Sequence, residues 1–104
     1  MIMNYGLDDS VIDQMKMVFS RHNSVRQVIM FGSRAMQTHR VGSDVDLAVV
    51  SETLTRNELL DLQIQLEELG FLYEFDVKNL KKIKNPELVS HIKRVGVILY
   101  EVTI

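Results

Sequence analysis

The chain has 104 residues, of which 46% are hydrophobic and 25% charged, and its formal net charge at pH 7 is −2. We expect one domain over residues 1–104, because this length leaves no room for a second core. The charge argues against a nucleic-acid binder held by general positive charge. The chain has no cysteine, which excludes disulfides and thiolate metal sites and fits a cytoplasmic protein.

The first half of the chain predicts a helix, a strand, a turn and a second strand. Cap-type residues precede apolar positions at helical spacing, which predicts a helix over residues 10–21. Residues 25–31, VRQVIMF, are β-branched and apolar as in a strand, and Gly32 ends that strand. SRAMQ then predicts a short helix or turn, and DVDLAVV, residues 44–50, predicts the second strand.

The second half predicts two helices, each followed by a strand. TRNELLDLQIQLEELG opens with a capping-box pattern and carries a leucine stripe that ends at Gly70. FLYEFDVKN alternates as a strand does, NPELVSHIKRVG has the cap and proline of a helix start, and VILYEV is the last strand. The order αβ(α)βαβαβ predicts an α/β (α+β) fold, a small mixed β-sheet covered by helices.

Asp44 and Asp46 are the candidate chemical groups of the second strand. Residues two apart on a strand point to one side, so both carboxylates face away from Val45 and Leu47. If the third strand pairs beside the second, Asp76 joins them. Clustered carboxylates repel one another unless a cation compensates, and Mg²⁺ is the usual ion for oxygen ligands. The sequence therefore predicts a divalent-metal site suited to in-line displacement at phosphorus.

Gly32 and Ser33 follow the first predicted strand. Glycine allows the backbone to approach a ligand closely, and the N–H groups of a helix start, with the Ser33 hydroxyl, can donate to phosphate oxygens. The alternatives are an ordinary turn at this pair, solvated strand-end carboxylates at Asp44 and Asp46, and an exposed strand face for Asp76. The pair and the acids together are more specific than either feature alone.

GSRA at residues 32–35, followed by SDVDL at residues 43–47, resembles the signature of the DNA polymerase β-like nucleotidyltransferase superfamily. More narrowly, the chain resembles the minimal nucleotidyltransferases over nearly its whole length. The resemblance implies a polymerase β-like core in which Gly32, Ser33 and Arg34 bind the triphosphate of a nucleotide.

The same resemblance implies a catalytic and Mg²⁺-binding triad of Asp44, Asp46 and Asp76. Asp76 is also the candidate to accept the proton of an incoming hydroxyl. Many relatives have an arginine and a glycine after GSRA, where this chain has Met36 and Gln37. That departure makes the loop less cationic and leaves the triad untouched.

The resemblance also implies a function and a partner. Minimal relatives are typically encoded beside a helical HEPN-domain protein and act as antitoxins that transfer AMP from ATP to a tyrosine of the toxin. We therefore expect a nucleotidyltransferase whose acceptor is a HEPN-type partner, with no direct DNA binding and no membrane association. The alternatives are a non-catalytic or nucleotide-sensing module that neutralises a helical partner by complex formation, and a small-molecule adenylyltransferase.

Three further features have simpler expected roles. The basic run KNLKKIK, residues 78–84, either steers a nucleotide or acidic partner or is a solvated face. His39 is expected to be a solvated loop residue. Met15, Met17 and Met30 are expected to fill the core.

Overall fold

Two β-sheets and four α-helices make up residues 3–102, the part of the chain that a computed structural model describes. The ends of the predicted domain, residues 1–2 and 103–104, lie outside this range. No described helix is long and apolar enough to cross a membrane. In chain order the elements are β1 (Met3–Asn4), β2 (Leu7–Asp8), α1 (Asp9–Ser20), β3 (Gln27–Phe31), α2 (Gly32–Ala35), β4 (Val45–Val50), α3 (Arg56–Glu67), β5 (Phe75–Asn79), a 3-10 turn (Leu80–Lys82), α4 (Pro86–Val95) and β6 (Val97–Glu101).

The larger sheet is mixed and has the strand order β5-β4-β3-β6. β3 pairs antiparallel with both β4 and β6, whereas β4 and β5 run parallel. The predicted mixed α/β architecture is thereby confirmed. β1 and β2 form a separate antiparallel hairpin that the sequence did not predict.

The two faces of the larger sheet support cores of different size. On one face, Val45, Leu47 and other apolar strand residues pack with α1 and α3 in the main core. On the other face, Phe31 and Ala48 pack with Ile92 of α4 in a small second cluster. Because side chains alternate along a strand, Asp46 belongs to the face of Ala48, which α4 covers.

The caps of α3 and α4 follow their sequences. Thr55 Oγ1 accepts from Glu58 N at 3.1 Å, and Glu58 Oε1 accepts from Thr55 N at 3.1 Å, which completes the predicted capping box. Asn85 caps α4 by accepting from Glu87 N at 2.9 Å, with Pro86 in the first turn.

The methionines divide between core and surface. Met15 and Met30 are fully buried, as expected. Met17 is 60% exposed, so its predicted core position is wrong. Two residues span about 200° of helix, so Met17 points away from the face of α1 on which Met15 packs.

Candidate active site

The acidic residues meet where β4 and β5 begin. The parallel register pairs Asp46 with Asp76, so both side chains leave the same face of the sheet. Asp44 lies one residue before β4 rather than within it. The third predicted strand does pair beside the second, which was the condition for Asp76 to join the other two acids.

Asp46 is at the electrostatic centre of this acidic group. It is half-buried, and burial together with the charges of Asp76 and Asp44 raises its pKa, while Lys78 and His91 act in the opposite direction. The ionised form of Asp46 is therefore destabilised in the absence of a cation. A cation placed between these carboxylates would remove the repulsion.

The three acids do not yet form a converged ligand set. Within residues 3–102, no three His, Cys, Asp or Glu side chains approach closely enough to hold a metal ion. Asp76 instead pairs with Lys78, whose Nζ lies 3.5 Å from Asp76 Oδ1. The charges of Asp44 and Asp76 act on Asp46, and the Lys78 ammonium partly neutralises Asp76.

Gly32 brings the backbone directly against Asp46. Its φ of +76° lies in the left-handed region, and a Cβ added there would overlap Asp46 Oδ2. Ser33 follows in the single turn α2, where its carbonyl accepts from Thr38 N at 2.9 Å. Gly32 of the predicted phosphate-binding pair is thus in contact with Asp46, one of the predicted metal ligands.

Arg34 is buried and donates to two backbone carbonyls. It is 2% exposed, and its Nε and Nη2 donate to the Ser43 carbonyl at 3.1 and 2.8 Å. Its Nη1 donates to the Tyr5 carbonyl at 3.0 Å, and the guanidinium lies 4.9 Å from the ring centroid of Tyr73. These contacts join the β1–β2 hairpin to the loop before Asp44.

His91 is a site residue that the sequence reasoning missed. Its ring makes an edge contact with Phe31, with centroids 6.3 Å apart, and its charge acts on Asp46. Leu88 lies three residues earlier on the inner face of α4 and packs on the second cluster. In the predicted helix, the three-residue spacing from Leu88 was the sequence signal that places His91 on the inner face.

His39 is not the solvated residue that its loop suggested. A Cβ at Gly6 would overlap its Nε2, so the imidazole lies against the β1–β2 hairpin. Its Nδ1 is buried and has no hydrogen-bond partner among the described residues. The hairpin that the imidazole contacts was not predicted from the sequence.

Comparison with known proteins identifies related sequences and folds. A family model described as "Polymerase beta, Nucleotidyltransferase" matches residues 13–103. No curated protein matches the chain.

Three similar solved structures are toxin-antitoxin complexes. One, with AMP-PNP, gives a TM-score of 0.69 at 21% identity over 92% of this chain and 75% of that chain. The toxin-antitoxin MntA-HepT gives 0.68 at 17% identity over 91% and 74%. The tri-AMPylated Shewanella oneidensis HEPN toxin in complex with MNT antitoxin gives 0.67 at 18% identity over 89% and 71%. At these low sequence identities, the comparison shows that the chain shares its fold with these structures.

Proposed function

This chain belongs to the polymerase beta nucleotidyltransferase family, and we propose that it transfers AMP from ATP to a hydroxyl of a HEPN-type partner protein and acts as an antitoxin. One observation carries the proposal: Asp46 is paired with Asp76 and lies against the Gly32 turn. Similar folds occur in one complex with AMP-PNP and in another with an AMPylated HEPN toxin, which supports the choice of nucleotide and acceptor.

Gly32 and Ser33 are the proposed triphosphate-binding residues. Gly32 has no side chain between the backbone and Asp46, so a phosphate held at this turn lies next to the acids. The backbone N–H groups and the Ser33 hydroxyl are the donors. Arg34 keeps the loop before Asp44 in place from the protein interior.

Asp44, Asp46 and Asp76 would hold Mg²⁺, since their carboxylate oxygens are the donors that this ion prefers. The fit is supported by the raised pKa of Asp46, whose causes include repulsion by the other two acids. When bound, the ion supplies positive charge to phosphate oxygens. Lys78 now pairs with Asp76 and would give up that contact.

The proposed reaction is displacement at the α-phosphorus. The acceptor oxygen forms a bond to that phosphorus, the bond to the β-phosphate oxygen breaks, and pyrophosphate leaves with the electron pair. Asp76 is the proposed base for the acceptor proton, because it is exposed and lies at the start of its strand.

A second candidate function is a binding module that neutralises a helical partner without transfer. Two observations favour it: the ion pair of Asp76 with Lys78, and the lack of a converged metal-ligand set within the described residues. The loop substitution at Gln37 does not distinguish the two functions, because Gln37 has a φ of +60° and so keeps a left-handed conformation that suits the glycine of many relatives.

Intact-protein mass spectrometry separates these functions. The product of the neighbouring gene, the proposed HEPN-type partner, is incubated with the protein, ATP and Mg²⁺, in parallel with an Asp44→Asn/Asp46→Asn double variant. We expect the partner to gain one or more AMP units with the wild type only. If the partner gains no AMP and both proteins neutralise it equally, the binding-module function is correct.

A further inference from the structure

A groove runs along the outer edge of β5, next to the acidic residues. Its volume is about 690 Å³, and it lies between the start of α3 and the segment that follows β5. Its floor is apolar and includes Leu59, Val77 and Ile83. We call this feature the β5 groove.

The rim of the β5 groove is basic. Arg56, Lys78 and Lys82 line it. Arg56 and Lys82 are exposed and form no ion pair with any residue in the described range. The whole chain carries a net charge of −2, so this local positive charge opposes the overall charge and selects an acidic ligand.

The β5 groove is continuous with the candidate active site through Lys78. Lys78 lines the groove, and its Nζ lies 3.5 Å from Asp76 Oδ1. The two residues are about 7 Å apart along the strand. The groove therefore adjoins the proposed base.

The outer edge of β5 is partly occupied by a side chain of α3. The Gln63 side chain donates to the Phe75 carbonyl and accepts from Val77 N, the latter at 3.1 Å. One outward backbone group of each residue, the Phe75 carbonyl and the Val77 N–H, is thereby satisfied, which disfavours recognition by strand addition. An apolar floor with a charged rim instead suits an amphipathic helix that places an apolar residue in the groove.

Single-stranded nucleic acid fits this surface less well than protein. Binding of such strands relies on aromatic platforms on which bases stack. None of the described residues that line the β5 groove is aromatic. The basic rim therefore points to carboxylates of a protein rather than to phosphates of a nucleic acid.

We propose that the β5 groove docks an acidic amphipathic helix of the acceptor protein and so presents the acceptor hydroxyl to Asp76. This inference rests on the proposed function, since the occupant is the acceptor. It assigns part of the basic run at residues 78–84 a role in partner recognition.

Charge reversal tests the docking surface. In Arg56→Glu/Lys82→Glu both positions are exposed, so the fold is expected to persist, which circular dichroism checks. The control, Lys16→Glu/Arg21→Glu, changes the net charge equally at exposed positions of α1 and its C-cap, which do not line the β5 groove. Calorimetry measures the Kd for the product of the neighbouring gene, the proposed partner, and AMP-PNP titration measures nucleotide affinity.

We expect the groove variant to weaken partner binding at least about tenfold, equivalent to roughly 1.4 kcal/mol, with unchanged affinity for AMP-PNP and little effect in the control. Equal weakening in both variants, or no weakening in either, would overturn the proposal. So would wild-type binding of single-stranded poly(U) RNA that only the groove variant loses. Because Kd is measured without transfer, a partner that binds through the groove but gains no AMP refutes only the proposed function.

Discussion

At the residue scale, Gly32 and Asp46 depend on each other. The carboxylate lies where the Cβ of any other residue would be, and the backbone there has a φ of +76°. Glycine is required for two separate reasons, space and backbone conformation. The two reasons can be separated because Gly42 also has a positive φ, of +83°, but has no atom within 4 Å of its Cβ position.

We expect Gly32→Ala to abolish AMP transfer, because its Cβ would displace the Asp46 carboxylate. Both Gly32→Ala and the control Gly42→Ala should lose about 1–3 kcal/mol of unfolding free energy from the left-handed backbone. Only the first should lose transfer. Urea unfolding and mass spectrometry of the partner measure the two effects, and equal loss of transfer in both variants would contradict the proposed contact.

A second residue-scale prediction concerns the stability cost of Asp46. Its pKa in the folded protein lies above the ordinary 3.8, so the folded state binds the proton more tightly than the unfolded state. The carboxylate therefore destabilises the fold above that raised pKa, and the cost disappears as the pH falls below 3.8. We expect the unfolding free energy of Asp46→Asn at pH 7 to exceed that of the wild type by up to about 1 kcal/mol, so that the variant unfolds at a higher temperature.

Thermal unfolding across pH tests this expectation, with Asp13→Asn on the exposed side of α1 as the control. The advantage of Asp46→Asn should vanish in acid, and Mg²⁺ should raise the melting temperature of the wild type more than that of the variant. A variant less stable than the wild type at pH 7 would show that Asp46 is not held against repulsion.

At the scale of elements, one side chain of α3 forms hydrogen bonds with the backbone of β5, in addition to the apolar packing between them. Gln63 uses both ends of its amide on the edge strand, and it also donates to Glu67 Oε1 at 2.7 Å. Since β5 carries Asp76, the helix fixes the strand that positions the proposed base. The edge strand is protected from pairing with another chain by the same contact.

We expect Gln63→Ala to lower the unfolding free energy by about 1–2 kcal/mol, because two backbone groups of β5 lose their partner. The amide of Val77 should exchange with deuterium faster than in the wild type. Gln14→Ala, at an exposed position of α1, is the control and should change stability by less than about 0.5 kcal/mol. Unchanged exchange at Val77 would show that packing alone holds β5.

The sequence predicts the longer elements of this fold and misses the shortest. Helical spacing and caps predict α1, α3 and α4, and apolar runs predict β3, β4 and β6. The β1–β2 hairpin has strands of two residues each, too short to show a period. The strand predicted over residues 71–79 begins at Phe75, because Phe71 and Tyr73 stack in a loop with centroids 5.6 Å apart.

Some contacts of the candidate site follow from local sequence patterns, and others do not. Asp46 and Asp76 share a face because of strand alternation and one pairing, which local pattern suffices to suggest. The assignment of roles to Gly32, Ser33 and the three acids stays a prediction. His91 and the contacts of Arg34 arise between segments far apart in sequence, and no local period reports them.

At the scale of the whole molecule, the two faces of the sheet have different roles. The face under α1 and α3 holds the main apolar core, and the face under α4 has a small apolar cluster beside the acids. The face under α4 can accommodate charged groups because less apolar surface is packed there. Arg34 links the loop before Asp44 to the β1–β2 hairpin, so the geometry of the site depends on contacts between segments that are distant in sequence.

Arg34→Lys tests whether this connection or phosphate binding explains the arginine. Lysine keeps the charge but lacks the planar donors that serve the Ser43 and Tyr5 carbonyls together. We expect a loss of about 2–4 kcal/mol in urea unfolding, because a buried cation and its acceptors lose their pairing. AMP transfer should fall with it, because the loop before Asp44 is released. If the variant keeps wild-type stability and loses only affinity for AMP-PNP, Arg34 is a phosphate ligand after all.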